Sequence, residues 1–359
     1  MKPALTTHKN MAATALVTGG CGFVGSNVAA RLLKDGWRPV LFDNLSRQGA
    51  ADNLRWLTEK GGCEFRRGDT RDFNEFDRVI RETQPSVIFH LAGQVAMTTS
   101  MNDPRRDFET NVVGSINLLE SVRQSKLPCA IVYASSNKVY GELAGVTLQE
   151  EATRYSAPDF PEGVAETAGL DFQTPYGCSK GAADQYMLDY ARVFGLNTVV
   201  FRHSTIFGGR QYATFDQGWV GWFCRQALET KKDPQRPPFT ISGDGKQVRD
   251  LLFVDDAVDC YLAAARRIQE VRGQAFNIGG GMQNSCSLLE LFALLEKWLD
   301  VRLQYQRLSW RHSDQKFFVA DIAKARRLLG WEPRVGREEG VKRMLAWVQE
   351  MSSTEKENS

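Results

Sequence analysis

The sequence is poor in the residues that mark disulfide frameworks and metal sites. Its seven cysteines and four histidines are scattered along 359 residues, and no two cysteines stand in a CxxC spacing. An odd, unpatterned set of thiols is typical of a reducing compartment. We therefore expect a cytoplasmic protein with buried or incidental thiols and without a metal.

Long hydrophobic runs and a strong charge of one sign are also missing. No apolar run reaches the roughly 18 residues of a membrane-spanning helix, and 45 Lys and Arg against 43 Asp and Glu leave a net charge of +2. These absences argue against a membrane or nucleic-acid partner. The polar opening stretch lacks the apolar core of a secretory signal. We expect residues 1–12 to be a disordered leader, with Met1 or Met11 as the natural start.

The chain does contain a regular alternation of apolar strand patterns and helical patterns over its first two hundred residues. Such alternation requires right-handed crossovers and predicts a parallel, doubly wound sheet with helices on both faces. The predicted strands are residues 14–18, 38–43, 63–67, 86–91, 129–134 and 197–202. The predicted helices between them are residues 23–35, 50–59, 72–83, 105–125 and 178–194.

After about residue 205 the pattern loosens, and glycines and prolines separate shorter elements. We predict a Rossmann-like NAD-binding domain over residues 13–204, a smaller α/β substrate-binding lobe over 205–351 and a tail over 352–359. The long stretch 142–175 is expected to shape a pocket. The predicted helices of the lobe are residues 217–230, 254–268, 287–299 and 337–350.

A glycine-rich turn follows the first predicted strand. Gly19, Gly22 and Gly25 are spaced as GxxGxxG, which allows a tight turn and brings backbone amides to a pyrophosphate. Asp43 ends the second predicted strand, where a carboxylate accepts both hydroxyls of an adenine ribose and repels a 2′-phosphate. The pair favours NAD over NADP. Arg47 could instead hold such a phosphate, although a solvated loop residue is the simpler interpretation.

A second motif combines a tyrosine, a lysine one helical turn later and a serine at a strand end. Tyr176, Lys180 and Ser136 stand in this arrangement. The charge of Lys180 is expected to lower the pKa of the phenol, so that Tyr176 can remove a proton from a sugar hydroxyl. Ser136 would bond the same oxygen and steady the developing carbonyl. The set predicts a nicotinamide-dependent enzyme that acts on a sugar hydroxyl.

Arginines of the C-terminal lobe predict a diphosphate site. Each of Arg210, Arg249 and Arg311 could form a simple surface salt bridge, but together they suit a substrate diphosphate, because guanidinium groups bind it bidentately and stay charged. The full set of predicted substrate-binding residues is Gln94, Ser136, Asn137, Arg210, Gln211, Arg249, Arg311 and Asp314.

These residues together resemble the extended short-chain dehydrogenase/reductase family, whose familiar members are nucleotide-sugar 4-epimerases. The resemblance covers about residues 14–350. A narrower resemblance, to the 2-epimerases that act on CDP-linked sugars, rests on long runs at 42–47, 90–100, 135–141, 176–190 and 208–222. Ser136 departs from that subgroup, which carries threonine there; the hydroxyl is kept.

The resemblance implies a tightly held NAD that is not consumed, and inversion of C2 of CDP-paratose to CDP-tyvelose through a transient 2-keto sugar. It implies a homodimer or homotetramer paired through the helices at 105–125 and 178–194. Asp69 and Thr70 follow the third predicted strand, where an acid could bond adenine or simply form a turn. The motifs and the resemblance together place cofactor contacts at Gly19, Gly22, Phe23, Val24, Gly25, Asp43, Asn44, Ser46, Arg47, Asp69, Thr70, Leu91, Ala92, Gly93, Asn111, Tyr176, Lys180, Arg202 and His203.

Three other activities stay open. A sugar 4,6-dehydratase would need an acid and a base beside Ser136, and the run Ser136-Asn137-Lys138 supplies no carboxylate. A UDP-sugar 4-epimerase is more plausible, because the sequence does not show which carbon faces the cofactor. A sensor could keep the NAD site without catalysis. As a further hypothesis, the stretch 142–175 presents C2 instead of C4 to the nicotinamide.

Overall fold

The structure is a computed structural model and describes residues 12–357, so the predicted leader lies outside the described residues except for Ala12. Its strands in chain order are β1 (Thr14–Thr18), β2 (Arg38–Asp43), β3 (Glu64–Arg67), β4 (Val87–His90), β5 (Ala130–Ser136), β6 (Gln149–Glu150), β7 (Tyr155–Ser156), β8 (Asn197–His203), β9 (Thr205–Phe207), β10 (Phe239–Ser242), β11 (Val248–Phe253), β12 (Gln274–Ile278), β13 (Ser285–Ser287), β14 (Tyr305–Leu308) and β15 (Phe317–Phe318). Its α-helices are α1 (Phe23–Lys34), α2 (Ala50–Lys60), α3 (Phe73–Thr83), α4 (Met97–Asn102), α5 (Pro104–Phe108), α6 (Gly114–Ser125), α7 (Thr174–Phe194), α8 (Trp219–Lys232), α9 (Val254–Arg266), α10 (Ile268–Val271), α11 (Leu288–Leu299), α12 (Ala323–Leu329) and α13 (Arg337–Glu357).

Within the described chain, seven parallel strands form the main sheet in the order β12-β8-β5-β4-β1-β2-β3. Strands β1 and β4 are almost wholly buried, as strands covered by helices on both faces must be. β1 pairs with β2 on one side and with β4 on the other. The strand order reverses there, and a crevice opens at the carboxyl ends of the strands. The predicted Rossmann-like, doubly wound α/β fold is confirmed.

Strand β12 joins this sheet from the second half of the chain. It pairs in parallel with β8, placing Phe276 beside Phe201. The sequence pattern after residue 205 did not predict this strand, because it is short and is followed at once by three glycines. The second half therefore contributes to the main sheet as well as to the lobe, and the predicted division at residue 204 stays a prediction.

The smaller lobe is built around a mixed sheet in which β11 pairs with β9, β13 and β15. Helix α8 packs against α11 and α13 beside this sheet. An aromatic cluster fills the space between α8, α11 and the β10–β14 pair, with Phe223 and Phe292 at a ring-centroid distance of 4.9 Å. Helix α11 begins at a capping box formed by Ser287 and Glu290, which satisfies backbone amides at its first turn.

Three helices differ most from their predicted bounds. Helix α7 begins at Thr174 instead of 178, because Pro175 suits the first turn of a helix, so that Tyr176 is already helical. The predicted helix 105–125 contains a π-helical turn at Glu109–Val113 between α5 and α6, a feature often found at functional sites. Helix α13 continues to Glu357, beyond the predicted end at 350.

The searches for membrane and metal features cover the described residues alone. None of their helices combines the length and the apolar character that crossing a membrane requires. The same residues contain no group of three or more His, Cys, Asp or Glu side chains arranged to hold a metal ion. The seven cysteines are free thiols.

Candidate active site

A cleft of about 1,360 Å³, open to solvent, lies at the carboxyl ends of β1 to β4. We call it the cofactor cleft. The structure brings most of the predicted cofactor residues to its walls, namely Gly19, Gly22, Phe23, Val24, Gly25, Asp43, Asn44, Ser46, Arg47, Asp69, Thr70, Leu91, Ala92 and Gly93. Their side-by-side placement follows from the sheet, because the ends of parallel strands meet at one edge.

The glycine-rich turn has no room for side chains. Gly19 has a φ of +66°, and a Cβ there would lie 2.8 Å from the backbone nitrogen of Ala92. A Cβ on Gly25 would lie 2.1 Å from the carbonyl oxygen of Gly19. Gly22 caps α1 without a side-chain hydrogen bond, so the first amides of the helix are free for an anionic ligand. The turn therefore fits the pyrophosphate of NAD.

Asp43 lies on the cleft wall and is tied to the turn. Its carboxylate accepts hydrogen bonds from the backbone nitrogens of Cys21 at 3.0 Å and Leu45 at 2.7 Å. Each oxygen keeps a further lone pair that can accept a ribose hydroxyl. Burial raises the pKa of Asp43, and the two backbone bonds oppose that rise. Its neighbour Asp69 is paired with Arg71, which lowers the pKa of the Asp69 carboxyl to about 2.

Four predicted cofactor residues line neither this cleft nor the next one, namely Arg202, His203, Asn111 and Lys180. Arg202 forms a buried bidentate ion pair with Asp184, with both N–O distances at 2.9 Å. His203 bonds to the carbonyl oxygen of Ser135 at 2.8 Å and to the hydroxyl of Tyr261. Both side chains are therefore bonded within the protein, between β5, β8 and the surrounding helices, and their role as cofactor contacts stays a prediction.

The side chain of Asn111, the third of them, connects two segments behind the cofactor cleft through hydrogen bonds. Its side chain accepts a hydrogen bond from the backbone nitrogen of Gln94 at 2.9 Å and donates one to the hydroxyl of Ser179 at 2.9 Å. The same serine donates to the buried carboxylate of Asp107, which also accepts from the Gln94 amide at 3.0 Å. Asn111 is thus a positioning residue that joins the loop after β4 to α7.

A second cleft lies between the main sheet and the smaller lobe, and we call it the substrate cleft. It meets the cofactor cleft at Val95 and Gln217, which line both. The predicted catalytic and substrate residues on its walls are Ser136, Asn137, Tyr176, Arg249, Arg311 and Asp314. The tyrosine and serine predicted to be catalytic therefore line the cleft that adjoins the cofactor cleft.

Tyr176 and Ser136 lie together on the wall of this cleft. A hydrogen bond with Ser136 lowers the pKa of the Tyr176 phenol, but burial outweighs it and raises that pKa to about 12. The phenol pKa is therefore raised and not lowered as predicted, because desolvation of the phenolate dominates.

Lys180 is buried one helical turn after Tyr176 in α7. Its ammonium donates to the carbonyl oxygen of Ala134 and lies 4.5 Å from the ring centre of Tyr133. Burial lowers the pKa of Lys180 to about 8, against the opposing charges of Asp107 and Asp184. At neutral pH it remains mostly protonated, as holding a ribose hydroxyl and supporting a phenolate require.

Three predicted substrate residues lie elsewhere. Gln94 lines the cofactor cleft, and its amide is already bonded to Ala96 and Asp107. Arg210 adopts a φ of +69°, which turns its guanidinium over the ring of Trp56, 4.3 Å from the ring centre. Gln211 is buried and donates to the carbonyl oxygen of Ile206. The structure does not bring these side chains to the substrate cleft.

Sequence reasoning missed Lys138 and an aromatic group on the wall of the substrate cleft. The aromatic group consists of Phe215, Trp219, Trp222 and Phe223. Arg311 stacks on the ring of Phe215 at 5.0 Å. The sequence did contain a signal for the aromatic group, because four aromatic residues lie between 215 and 223. The diphosphate site predicted for the lobe rests on its arginines instead.

The long stretch 142–175 does not shape either cleft, since no residue of it lines them. It docks on the outer side of the lobe, where Arg154 forms an ion pair with Glu290 at 2.6 Å. Part of it surrounds a separate surface cavity. It approaches the substrate cleft at its end, where Gln173 accepts a hydrogen bond from Ser313 and Pro175 precedes Tyr176. That this stretch presents C2 instead of C4 stays a hypothesis.

Three known proteins resemble this chain in sequence or in structure. A CDP-paratose 2-epimerase from Salmonella typhi is 55% identical over 333 residues, covering 93% of this chain and 98% of the relative. The crystal structure of a UDP-glucose 4-epimerase with UDP-glucose from Thermotoga maritima superposes with a TM-score of 0.80 at 29% identity, covering 94% of this chain and 99% of that one. A Thermus thermophilus UDP-glucose 4-epimerase in complex with NAD gives a TM-score of 0.77 at 28% identity, with 94% and 99% covered.

The family match covers most of the described sheet. The NAD dependent epimerase/dehydratase family matches residues 15–279, a range that begins in β1 and ends just after β12, the last strand of the main sheet. It includes the glycine-rich turn, Asp43 and the Ser136, Tyr176 and Lys180 set. The family predicted from the sequence is confirmed: the chain belongs to the NAD dependent epimerase/dehydratase family.

Proposed function

We propose that this protein inverts C2 of a CDP-linked sugar, converting CDP-paratose to CDP-tyvelose, with an NAD that stays tightly bound through the cycle. The observation that carries the proposal is the 55% identity to a CDP-paratose 2-epimerase over nearly the whole of both chains. The placement of Tyr176 and Ser136 in the substrate cleft, which adjoins the cofactor cleft, supports it.

The residues present fit NAD in the cofactor cleft. The amides of the glycine-rich turn would hold the pyrophosphate, Asp43 the adenine ribose and Lys180 the nicotinamide ribose. When bound, NAD supplies a hydride acceptor that can return the hydride to the same carbon. The narrow turn around Gly19 and Gly25 and the network behind Asn111 are rigid features that favour tight retention.

The chain's own residues would handle the proton. Tyr176 would take the proton of the sugar hydroxyl as the carbonyl forms, and give it back when the hydride returns to the opposite face. Ser136 would bond the same oxygen in both directions and stabilise its developing charge. The protonated Lys180 would favour the phenolate through its charge. No proton or electron is gained or lost over the full cycle, as an epimerisation requires.

The test follows the ring protons of candidate substrates by NMR, with purified protein and no added cofactor. CDP-paratose, UDP-glucose, UDP-galactose and GDP-sugars are incubated separately. Inversion at C2 of CDP-paratose without added NAD is the expected result. Inversion only at C4, or turnover only after NAD is added, would contradict the proposal.

A UDP-sugar 4-epimerase is the second candidate, supported by the overall similarity to the Thermotoga maritima enzyme. The same NMR series distinguishes the two activities, because inversion at C2 and inversion at C4 change the couplings of different ring protons. A sensor that binds NAD without catalysis is separated from both by Tyr176→Phe, which would leave a sensor's function intact and abolish that of an epimerase.

We also propose that the protein forms a homodimer or homotetramer through the faces of α6 and α7. Tyr186, Val193 and Phe194 on α7 are 46%, 58% and 48% exposed and follow helical spacing, so they form one apolar stripe. Analytical ultracentrifugation at micromolar concentration should show a species larger than the 40.3 kDa chain. A purely monomeric profile would contradict this assembly.

A further inference from the structure

Lys138 is a buried cation on the wall of the substrate cleft that the proposed chemistry does not yet use. It follows Ser136 in a short 3-10 turn at Asn137–Tyr140. Its ammonium donates to the carbonyl oxygen of Ser313 at 3.1 Å and lies 3.7 Å from a carboxylate oxygen of Asp314. The side chain thus spans from the main sheet to the lobe and is only 17% exposed.

Lys138 shares its carboxylate partner with a second cation. The carboxylate oxygen of Asp314 that faces Lys138 also accepts from Arg249 at 3.0 Å, and Asp250 is the other acidic group acting on Arg249. Burial and the charge of Arg249 lower the pKa of Lys138 to about 8, while Asp314 and Glu142 oppose this. An anionic ligand suits this site, because the ammonium has three N–H donors and its distance of 3.7 Å from Asp314 is longer than a hydrogen bond.

The position of Lys138 relative to Ser136 and Tyr176 indicates which anionic group would bind there. The backbone nitrogen of Lys138 donates to the hydroxyl of Ser136 at 3.2 Å, and that hydroxyl lowers the pKa of the Tyr176 phenol. In a nucleotide sugar, C2 is next to C1, which carries the diphosphate, whereas C4 lies across the ring. Because the Lys138 side chain leaves the backbone beside Ser136 and lines the same cleft as Tyr176, its ammonium meets the β-phosphate more readily when C2 faces Tyr176 than when C4 does.

We propose that Lys138 binds the β-phosphate of the nucleotide sugar and thereby places C2, instead of C4, at Tyr176 and Ser136. This inference rests on the proposed 2-epimerase activity and assigns its regiochemistry to a specific side chain. Asp314 and the Ser313 carbonyl hold the ammonium in place before the substrate enters.

The test measures the affinities of the NAD-loaded enzyme for CDP and for cytidine by titration calorimetry. Lys138→Met should weaken CDP binding by about 10- to 100-fold, the size of one charge-assisted hydrogen bond, and leave cytidine binding unchanged. Lys138→Arg should restore most of the CDP affinity. Lys316→Met is the matched control, because Lys316 lies over the rings of Tyr155 and Trp310 and outside the cleft lining.

Lys138→Met should fold, since Asp314 keeps Arg249 as its partner; Lys138→Gln is a second neutral variant if it does not. Equal CDP binding by the wild type and both neutral variants, or equal losses of CDP and cytidine binding, would overturn the role of Lys138. The NMR assay on the wild type separates this from failure of the proposed function. Without C2 inversion the epimerase assignment fails, whereas C2 inversion with unchanged CDP binding in the variants overturns this inference alone.

A pH series adds a measurement that a lysine with a purely structural role would not affect. The CDP affinity of the wild type should fall as the pH rises through about 8, the pKa of Lys138, because the neutral amine no longer attracts phosphate. Arg249, Asp314 and Glu142 are the charged groups facing it. Lys138→Arg should remove the fall, since a guanidinium stays charged, and an unchanged fall would contradict the proposal.

Discussion

The cofactor cleft is lined by the ends of neighbouring parallel strands and by their connecting loops, whereas the substrate cleft collects side chains from segments between Val95 and Asp314. In the first cleft, the backbone of a glycine-rich turn provides much of the surface. In the second, long side chains such as Lys138, Arg249 and Arg311 provide the charge. The cofactor cleft is therefore formed by neighbouring elements of the main sheet, whereas the substrate cleft depends on how the sheet and the lobe pack together. The two should therefore respond separately to substitution.

The largest expected effect is at Tyr176, on the wall of the substrate cleft. Tyr176→Phe should lower kcat by about 10²- to 10⁴-fold, because it removes the group that exchanges the proton. Retention of NAD and affinity for CDP should stay near wild type, since the aromatic ring still fills the wall. A variant that keeps its turnover would remove Tyr176 from the chemistry.

A substitution in the cofactor cleft tests whether that cleft acts alone. Asp43→Ala should weaken NAD binding by about 10- to 100-fold, because it removes a charged acceptor for the ribose hydroxyls, and should leave CDP binding unchanged. Asp52→Ala is the control, since Asp52 pairs with Arg55 on the surface of α2. The measurement is the NAD content of purified protein and its recovery by titration. A parallel loss of CDP affinity would show that the clefts are coupled.

The reciprocal test is made in the substrate cleft. Arg249→Met should weaken CDP binding by about tenfold or more, because it removes a buried guanidinium opposite the diphosphate, while NAD content stays at the wild-type level. Arg302, an exposed arginine of the lobe, provides the control as Arg302→Met. If NAD were lost together with CDP affinity, the separate behaviour of the two clefts would be wrong.

The smallest expected effect is on stability, and both clefts contribute to it. Burial lowers the pKa values of Lys180 and Lys138 to about 8 in the folded protein, from 10.5. The unfolded chain then binds more protons from about pH 8 upward, so the free energy of unfolding should rise with pH by at most about 1.4 kcal/mol per pH unit for each lysine. Above pH 9 the buried thiols, whose pKa values burial raises, oppose the rise.

Urea unfolding at several pH values between 8 and 9 measures this slope. Lys180→Met and Lys138→Met should each reduce it by a similar amount, one acting beside the cofactor cleft and the other in the substrate cleft. A slope that neither variant changes would mean that other groups control the pH dependence.

Sequence reasoning worked best where neighbouring residues share one backbone feature. The glycine spacing predicted a turn that has no room for a Cβ at Gly19 or Gly25, and the strand-end position of Asp43 predicted its place beside that turn. Both predictions depend on a strand, a turn and a helix that follow one another directly. Parallel strand ends then meet at one edge of the sheet for purely geometric reasons.

Sequence reasoning did not show which partners a side chain has when those partners are far away in the chain. Arg202 and His203 end β8 as expected, but an ion pair with Asp184 and bonds to Ser135 and Tyr261 occupy their side chains. Arg210 follows two glycines, and its backbone conformation turns it towards Trp56. Which way each of these side chains points depends on partners far away in the sequence.

The sequence by itself determined the family, the doubly wound sheet and the glycine-rich turn, and it predicted the reacting groups Tyr176, Lys180 and Ser136. These depend on short-range spacing and on the alternation of strands and helices. Only the tertiary structure decided the burial that raises the pKa of Tyr176, the addition of β12 to the main sheet, and the meeting of Lys138 with Arg249 and Asp314. Burial, sheet order and charge pairing are set by contacts between residues far apart in the chain, and local patterns do not encode them.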